Sequence, residues 1–345
     1  MNTSWTEEYS ALTDFIRSKP EIRVSPQSLR IPKTEREAFY SRVDAVIRSL
    51  SSALAGERLT DAAALAVRVN EVRKQICNGS NLRQYRLPAS LENLISNPEE
   101  ALSRPLFELL LENLQNGRRG YEMADRAAQL VFPFLKDLER CTYEIWAYLS
   151  VIEAWKPKRF YGIVTADFKE LTVTETDEVT VGYQLSSPDK RLPEALFETA
   201  DGRTVAVKME TGLELDHYGE KVSREKGYSS GGNTVNELAH RVLLVYLFLG
   251  PKDVGFLADA SEAYVRPTNL TCTFLLPSEM ENEYLFSSFV RHIRTVRSLR
   301  PVQLLSFDSH GAFPPEWAAD PRVPKWERTI TAYDTEQLKQ IALKL

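Results

Sequence analysis

The pattern of apolar residues changes abruptly at Trp155-Lys-Pro-Lys158, and this change constrains the fold more than any other feature of the chain. Before it, apolar residues recur every three or four positions, as in amphipathic helices with one buried stripe. After it come short runs rich in β-branched and aromatic residues, which favour strands. The sequence therefore predicts an α+β protein in which an N-terminal all-helical domain, residues 1–155, precedes an α+β domain, residues 156–345, with a mainly antiparallel sheet. A length of 345 residues agrees with two domains, because single hydrophobic cores seldom grow that large.

Breakers divide the helical half into short predicted elements. Gly56 separates the last two of three amphipathic helices, which are predicted at Trp5–Ile16, Ala38–Leu54 and Leu59–Ile76. Pro98 suits the first turn of a further helix, and Asn116-Gly117 suits its end. Pro133 predicts a kink or a break near Phe132, because a proline inside a helix costs about 3 kcal/mol.

The second half is predicted to begin with an antiparallel meander over residues 159–210. Its strands are expected at Arg159–Val164, Leu171–Thr174, Val179–Leu185, Ala195–Glu198 and Thr204–Glu210. Asp201-Gly202 predicts a tight primed hairpin turn. Beyond the meander we expect a buried helix at 234–249, strands at Ala263–Arg266 and Thr271–Leu276, and a helix at 281–299. An irregular C-terminal tail and a last short helix, Asp334–Lys344, follow.

Composition restricts the classes of partner. The net charge of −5 gives no general attraction to nucleic acid or anionic lipid, so such binding would need a local basic patch. The N-terminus lacks the pattern of a secretory signal, and the longest apolar run, Val242–Leu249, is far short of the roughly 18 residues that span a bilayer. Three widely separated cysteines suit reduced thiols. We therefore expect a cytoplasmic protein that does not bind membranes.

A long charged loop, residues 213–233, is the first candidate site, because loops of this length in a compact domain are usually functional or disordered. Its ligand- or anion-binding candidates are Lys221, Arg224, Lys226, Ser229, Ser230 and Gly231. In the competing interpretation, Thr234 and Glu237 form a capping box that occupies the amides an anion would need. Glu237 and His240 form a single Glu-x-x-His pair, so no dedicated metal site and no cofactor are predicted.

A second candidate site lies in the meander. Lys208 and Glu210 lie two positions apart on one predicted strand, so they share a face of it. Asp189 follows Pro188 and comes before the hairpin whose second strand carries these two residues. Over residues 187–210 this arrangement resembles the PD-(D/E)XK nuclease superfamily, but Ala206 stands where that superfamily has an acidic residue. The resemblance implies a magnesium-dependent site with Asp189 and Glu210 as metal ligands and Lys208 orienting water.

Arginines recur every third residue near the C-terminal end of the predicted helix 281–299. This row, Arg291, Arg294, Arg297 and Arg300, suits either a protein partner or a nucleic-acid backbone. The sequence offers few other groups of residues suited to acid–base catalysis.

The sequence therefore favours an interaction or accessory protein that binds a protein partner or ligand without chemistry of its own. The alternative is a metal-dependent nuclease or phosphodiesterase that uses magnesium.

Overall fold

The structure is a computed structural model that describes residues 4–118, 120–166, 170–181, 195–211, 241–248, 270–275, 302–306, 326–330 and 334–344. It is an α+β fold, with a helical region followed by a mainly antiparallel sheet. The chain forms two compact units. The helical unit comprises residues 1–67 and 89–142, and the sheet unit comprises residues 68–88 and 143–345. Whether residues 1–155 and 156–345 are separate domains stays a prediction, because two long helices contribute to both units.

Helices dominate the helical unit. They are α1 (Ser4–Ser18), the first part of α2 (Arg36–Gly79), α3 (Ala89–Ser96), α4 (Ser103–Gln115) and the first part of α5 (Gly120–Ala154). A short antiparallel hairpin, β1 (Arg23–Ser25) with β2 (Ser28–Arg30), lies between α1 and α2. Within the described residues, no helix combines the length and apolar character needed to cross a bilayer.

Helix α2 runs without interruption through Gly56, so the prediction of two separate helices there is wrong. A glycine inside a helix costs only about 1 kcal/mol relative to alanine. Buried positions continue at helical spacing on both sides of it, as at Leu50, Ala55, Leu59 and Ala62. The free energy gained by burying this continuous stripe exceeds the local cost of one glycine.

Helix α4 ends where Asn116-Gly117 predicted. Gly117 has a φ of +61°, its amide donates to the Leu114 carbonyl, and the Arg118 amide donates to the Asn113 carbonyl. These two bonds form a Schellman motif. Pro98 begins a single 3-10 turn rather than α4 itself. Helix α5 is continuous through Pro133, which lies at an exposed position, so of the two predicted outcomes the break is wrong and the kink stays a prediction.

The sheet unit contains an eight-stranded sheet in the order β12-β11-β10-β9-β8-β7-β4-β5. Its strands are β4 (Pro157–Ala166), β5 (Glu170–Thr176), β7 (Ala195–Thr199), β8 (Thr204–Thr211), β9 (Arg241–Phe248), β10 (Leu270–Leu275), β11 (Val302–Ser306) and β12 (Trp326–Ile330). All neighbouring pairs are antiparallel except β10 with β11 and β11 with β12. Strand β6 (Glu178–Thr180) leaves this sheet and pairs in parallel with β3 (Gln84–Arg86).

Several predictions fail in this half. The predicted meander strand Val179–Leu185 is wrong, because residues 178–180 form β6, which pairs in parallel with β3 outside the main sheet. Residues 241–248 form strand β9 and not the end of a buried helix, because their continuous apolar run, rich in β-branched and aromatic residues, suits a strand with neighbours on both edges. Strands β11 and β12 both lie in the tail that was predicted to be irregular. The final helix α6 (Thr335–Lys344) is present, and its first turn is capped by the Asp334 carboxylate, which accepts from the Gln337 amide at 3.0 Å. The predicted helix 281–299 and strand Ala263–Arg266 lie outside the described residues.

The core of the sheet unit is aromatic. Every residue of α5 from 143 to 152 is buried, so this part of the helix has no solvent-facing side. The Tyr148 and Tyr85 hydroxyls lie 3.1 Å apart, and the Tyr85 ring meets the Phe160 ring edge-on. Phe160 in turn packs against Phe197 of the neighbouring strand.

Asn81, just after α2, ties its own segment to β4 and β5. Its Oδ1 accepts from the Phe160 amide at 2.8 Å, and its Nδ2 donates to the Glu175 carboxylate and the Thr176 carbonyl. The Asn81 amide also donates to the Lys158 carbonyl. One side chain therefore bonds to two strands.

The Asp201-Gly202 hairpin joins β7 to β8 as predicted, although the turn is of another type. Gly202 has a φ of +80°, whereas Asp201 does not have a positive φ, so this is not a primed two-residue turn. The Gly202 amide donates to the Thr199 carbonyl, and the Thr199 amide donates to the Arg203 carbonyl. This is a three-residue loop with a glycine bulge.

Candidate functional site

The helical unit contains an open groove of about 650 Å³, here called the α1 groove. Helix α1 forms one wall, strand β1 contributes Val24, and the α4–α5 turn forms the other wall. The residues that line it are Thr6, Tyr9, Ser10, Thr13, Asp14, Ile16, Arg17, Val24, Leu114, Gly117, Arg118, Gly120 and Tyr121. The Schellman turn at Gly117 reverses the chain and so brings Arg118 and the start of α5 opposite α1.

A buried polar network joins the two walls. The Tyr9 hydroxyl donates to the Arg118 carbonyl at 3.0 Å and accepts from the Asn113 Nδ2 at 2.8 Å. Asn113 is fully buried, and within the described part of the chain its Oδ1 has no hydrogen-bond partner. Burial raises the pKa of the Tyr9 hydroxyl, and the charge of Glu122 raises it further against the lowering effect of Asn113. Tyr9 therefore stays neutral and holds α1 against the turn.

Two arginines lie beside the Glu112 carboxylate near this turn. Arg126 donates two hydrogen bonds from Nη2 to the Glu112 carboxylate, at 2.8 and 2.9 Å. Arg118 lies 3.7 Å from the same carboxylate, beyond hydrogen-bond distance. The hydrogen bonds from Arg126 are the main reason that the pKa of Glu112 lies below its usual range. Two guanidinium groups thus share one carboxylate, and the buried Nη1 of Arg126 has no acceptor among the residues that the structure describes.

The rest of the α1 groove combines apolar and charged side chains. Ile16, Val24 and Leu114 are half-buried, and Tyr121 is 60% exposed. On α1, Arg17 and Asp14 lie 3.4 Å apart, with both side chains largely exposed. Such an exposed pair contributes little free energy, so either group can exchange its partner for a ligand.

A second groove of about 900 Å³ follows the half-exposed face of α2. Small side chains line most of it, from Ala45 through Gly56 to Ala63, and Ser96, Asn97 and Pro98 lie on the opposite side. It offers fewer charged and aromatic groups than the α1 groove.

The candidates of the predicted meander site are placed only in part. Lys208 and Glu210 both lie on β8, two positions apart, so the backbone puts them on one face together with Thr204 and Ala206. They lie directly opposite Leu244 and Val242 of β9. Asp189 lies outside the described residues, so its distance from Glu210 stays a prediction.

The other predicted site residues also lie outside the described part of the chain. These are the loop candidates Lys221, Arg224, Lys226, Ser229, Ser230 and Gly231, and the arginine row Arg291, Arg294, Arg297 and Arg300. Among the residues that the structure does describe, no group of three or more His, Cys, Asp or Glu side chains is arranged to hold a metal ion.

Two features escaped prediction. Glu144 carries a carboxyl group in the fully buried part of α5, where it is 4% exposed, and nothing in the surrounding helical period marks it. The α1 groove was missed because its walls are about a hundred residues apart in sequence. Only Asn116-Gly117 gave a local signal, and it predicted the turn but not that helix α1 packs beside the turn.

Comparisons with family models, with curated proteins and with solved structures find no match to this chain.

Proposed function

We propose that this chain is an interaction or accessory protein whose helical unit binds a protein partner in the α1 groove. The observation that carries the proposal is the composition of that groove: an exposed tyrosine, Tyr121, beside Arg118 and three half-buried apolar side chains. Interface cores are enriched in tyrosine and arginine, and these residues supply much of the binding energy where they sit in water-excluding pockets. A tyrosine that is 60% exposed in the free chain has most of its ring still available for burial.

The test uses Tyr121 and a matched aromatic outside the groove. Phe132 lies on the same helix and is 43% exposed, but it does not line the α1 groove. The tagged full chain, Tyr121→Ala and Phe132→Ala would each be used to capture proteins from the source cells after mild cross-linking. The partner should be recovered with the wild-type chain and with Phe132→Ala, and it should be depleted with Tyr121→Ala.

A purified partner then allows the affinity to be measured by titration calorimetry. Tyr121→Ala should weaken binding about tenfold, the effect of losing roughly 1.4 kcal/mol at an interface anchor. Equal recovery with all three chains would place the interface elsewhere, and the predicted Arg291–Arg300 row would be the next surface to vary. Recovery of no stoichiometric partner under any condition would overturn the proposal.

A magnesium-dependent nuclease or phosphodiesterase remains the second candidate. It is supported by the placement of Lys208 and Glu210 two positions apart on β8, the spacing from which the water-positioning and metal-ligand roles were proposed. The test is cleavage of a labelled nucleic acid by the purified chain with magnesium and with a chelator, beside Lys208→Ala. Cleavage that needs both magnesium and Lys208 would overturn the non-catalytic proposal. Cleavage that persists in Lys208→Ala would instead indicate a contaminating enzyme.

A further inference from the structure

We infer that the α1 groove takes an acidic segment of the partner, with carboxylates beside Arg118 and Arg17 and an apolar side chain beside Tyr121. This inference rests on the proposed function and specifies its partner. It starts from the charge around the α4–α5 turn. Arg126 already satisfies Glu112 with two short hydrogen bonds, while Arg118 approaches the same carboxylate only to 3.7 Å. Among the charged residues that line the groove, Arg17 and Arg118 outnumber Asp14, so the lining carries one positive charge in excess.

A second feature of the groove favours the same sign of ligand. Arg17 lies on the facing wall, and its contact with Asp14 is the weak exposed pair described above. The first amides of the 35-residue helix α5, at Gly120 and Tyr121, also line the groove and add positive potential there.

The groove suits a peptide better than a nucleic acid. Its net excess is small, and the Asp14 carboxylate would repel a continuous row of phosphates. A peptide, in contrast, presents amide donors as well as carboxylates, so it can use both Asp14 and the arginines. Ile16, Val24 and Leu114 supply the half-buried apolar surface that an interleaved apolar side chain would cover.

The probe is a fluorescein-labelled peptide of about twelve residues in which glutamates alternate with leucine, alanine and glycine. A second peptide has glutamine at each glutamate position. Binding to the purified full chain would be followed by fluorescence anisotropy at low and high salt. The glutamate peptide should bind at least about fivefold more tightly than the glutamine peptide, and the difference should shrink as salt screens the charges.

The variant Arg17→Gln/Arg118→Gln removes the two charges and keeps the Arg118 backbone carbonyl that Tyr9 and Asn113 use. It should weaken the glutamate peptide about fivefold or more and leave thermal unfolding nearly unchanged. The matched control is Arg104→Gln on α4, since Arg104 is highly exposed and does not line the groove. This control should bind the peptide like the wild type.

Three results would overturn the inference: equal binding of the two peptides, equal binding by the double variant, or tighter binding of a thymidine dodecanucleotide at the same arginines. The last would make the groove a nucleic-acid site. If the peptides fail while the captured partner is still depleted by Tyr121→Ala, the acidic-segment inference is wrong and the proposed function stands. If the peptides fail and Tyr121→Ala also recovers as much of the captured partner as the wild-type chain does, then both the acidic-segment inference and the proposed function are wrong.

Discussion

The two halves of helix α5 provide a controlled contrast, because one continuous helix serves both units. In the helical unit, residues 120–142 alternate between buried and exposed positions, and Phe132 and Pro133 are exposed. In the sheet unit, residues 143–152 are buried without exception. The first half is an amphipathic helix at a surface, and the second is a helix enclosed by its unit. Free energy of unfolding should therefore depend far more on side chains in the second half, which leaves the first free to carry a binding surface.

Polar groups differ between the units in a parallel way. In the helical unit, the buried network of Tyr9, Asn113 and the Arg118 carbonyl supports one wall of an open groove. In the sheet unit, Asn81 bonds to two strands and reinforces pairing that the sheet already provides. Polar interactions position a surface in one unit and strengthen the sheet in the other.

The largest expected effect is a truncation inside the enclosed half of α5. Trp146 is fully buried and stacks on Tyr143 with ring centroids 5.8 Å apart. Trp146→Ala should lower the free energy of unfolding by about 3–5 kcal/mol, because it removes a large apolar surface and leaves a cavity. Phe132→Ala, in the exposed half, should change it by less than about 1 kcal/mol. Urea denaturation measures both, and losses of similar size would contradict the contrast between the two halves.

An intermediate effect is expected at the Asn81 tether. Asn81→Leu leaves the Phe160 amide and the Thr176 carbonyl without this partner, so the free energy of unfolding should fall by about 2 kcal/mol. Hydrogen exchange at the Phe160 amide should also become faster. Gln84→Leu replaces an exposed amide side chain three positions along and should have little effect. Unchanged exchange at Phe160 in Asn81→Leu would show that strand pairing alone protects that amide.

Glycine substitutions test whether a positive φ angle costs the same free energy of unfolding in the two units. Gly117 and Gly202 have positive φ angles, and no atom lies within 4 Å of a Cβ added at either. Gly117→Ala and Gly202→Ala should each cost about 1 kcal/mol, from backbone strain alone. Gly56→Ala should instead stabilise the chain by about 0.5–1 kcal/mol, because Gly56 is helical and the new Cβ would meet only Ser52 Oγ at 3.6 Å. The same sign for Gly56→Ala and Gly117→Ala would refute this explanation.

These glycines also show what the sequence could predict. Turn chemistry is local, so Asn116-Gly117 predicted the end of α4, and Asp201-Gly202 predicted a hairpin although not its turn type. Gly56 was misjudged because its effect depends on how much apolar surface the whole helix buries. Strand β9 was misjudged for a related reason: a buried helix and a buried strand both appear as a short continuous apolar run, and only the neighbouring strands β8 and β10 decide between them.

The candidate site was less predictable than the fold. Lys208 and Glu210 lie two positions apart on β8, close to the strand that the sequence predicted, since strand patterns are local. The α1 groove could not be found in this way, because Arg17 and Arg118 become neighbours of one cavity only when α1 packs beside the α4–α5 turn. Their chemistry is visible in the sequence, but their proximity is a property of packing.

The smallest expected effect concerns the shared carboxylate of Glu112, and it bears directly on the groove. Hydrogen bonds from Arg126 are the main cause of the lowered pKa of Glu112, and the charge of Arg118 contributes less. Because the folded pKa lies below the unfolded value of about 4.3, this pairing stabilises the fold at neutral pH, and the contribution is lost as the pH falls through the folded pKa. Arg126→Gln should therefore raise the pKa of Glu112 clearly toward its ordinary value, whereas Arg118→Gln should raise it only slightly.

Carbon-detected NMR titration of the Glu112 carboxyl would measure the pKa in each variant. Asp201 in the sheet unit is an internal reference, because its pKa is lowered by Arg203 and Thr199 and neither substitution touches them. A larger shift in Arg118→Gln than in Arg126→Gln would show that Arg118 is the true partner of Glu112. In that case Arg118 would not be available to a carboxylate in the α1 groove, and Arg126 could not replace it there, because Arg126 does not line the groove.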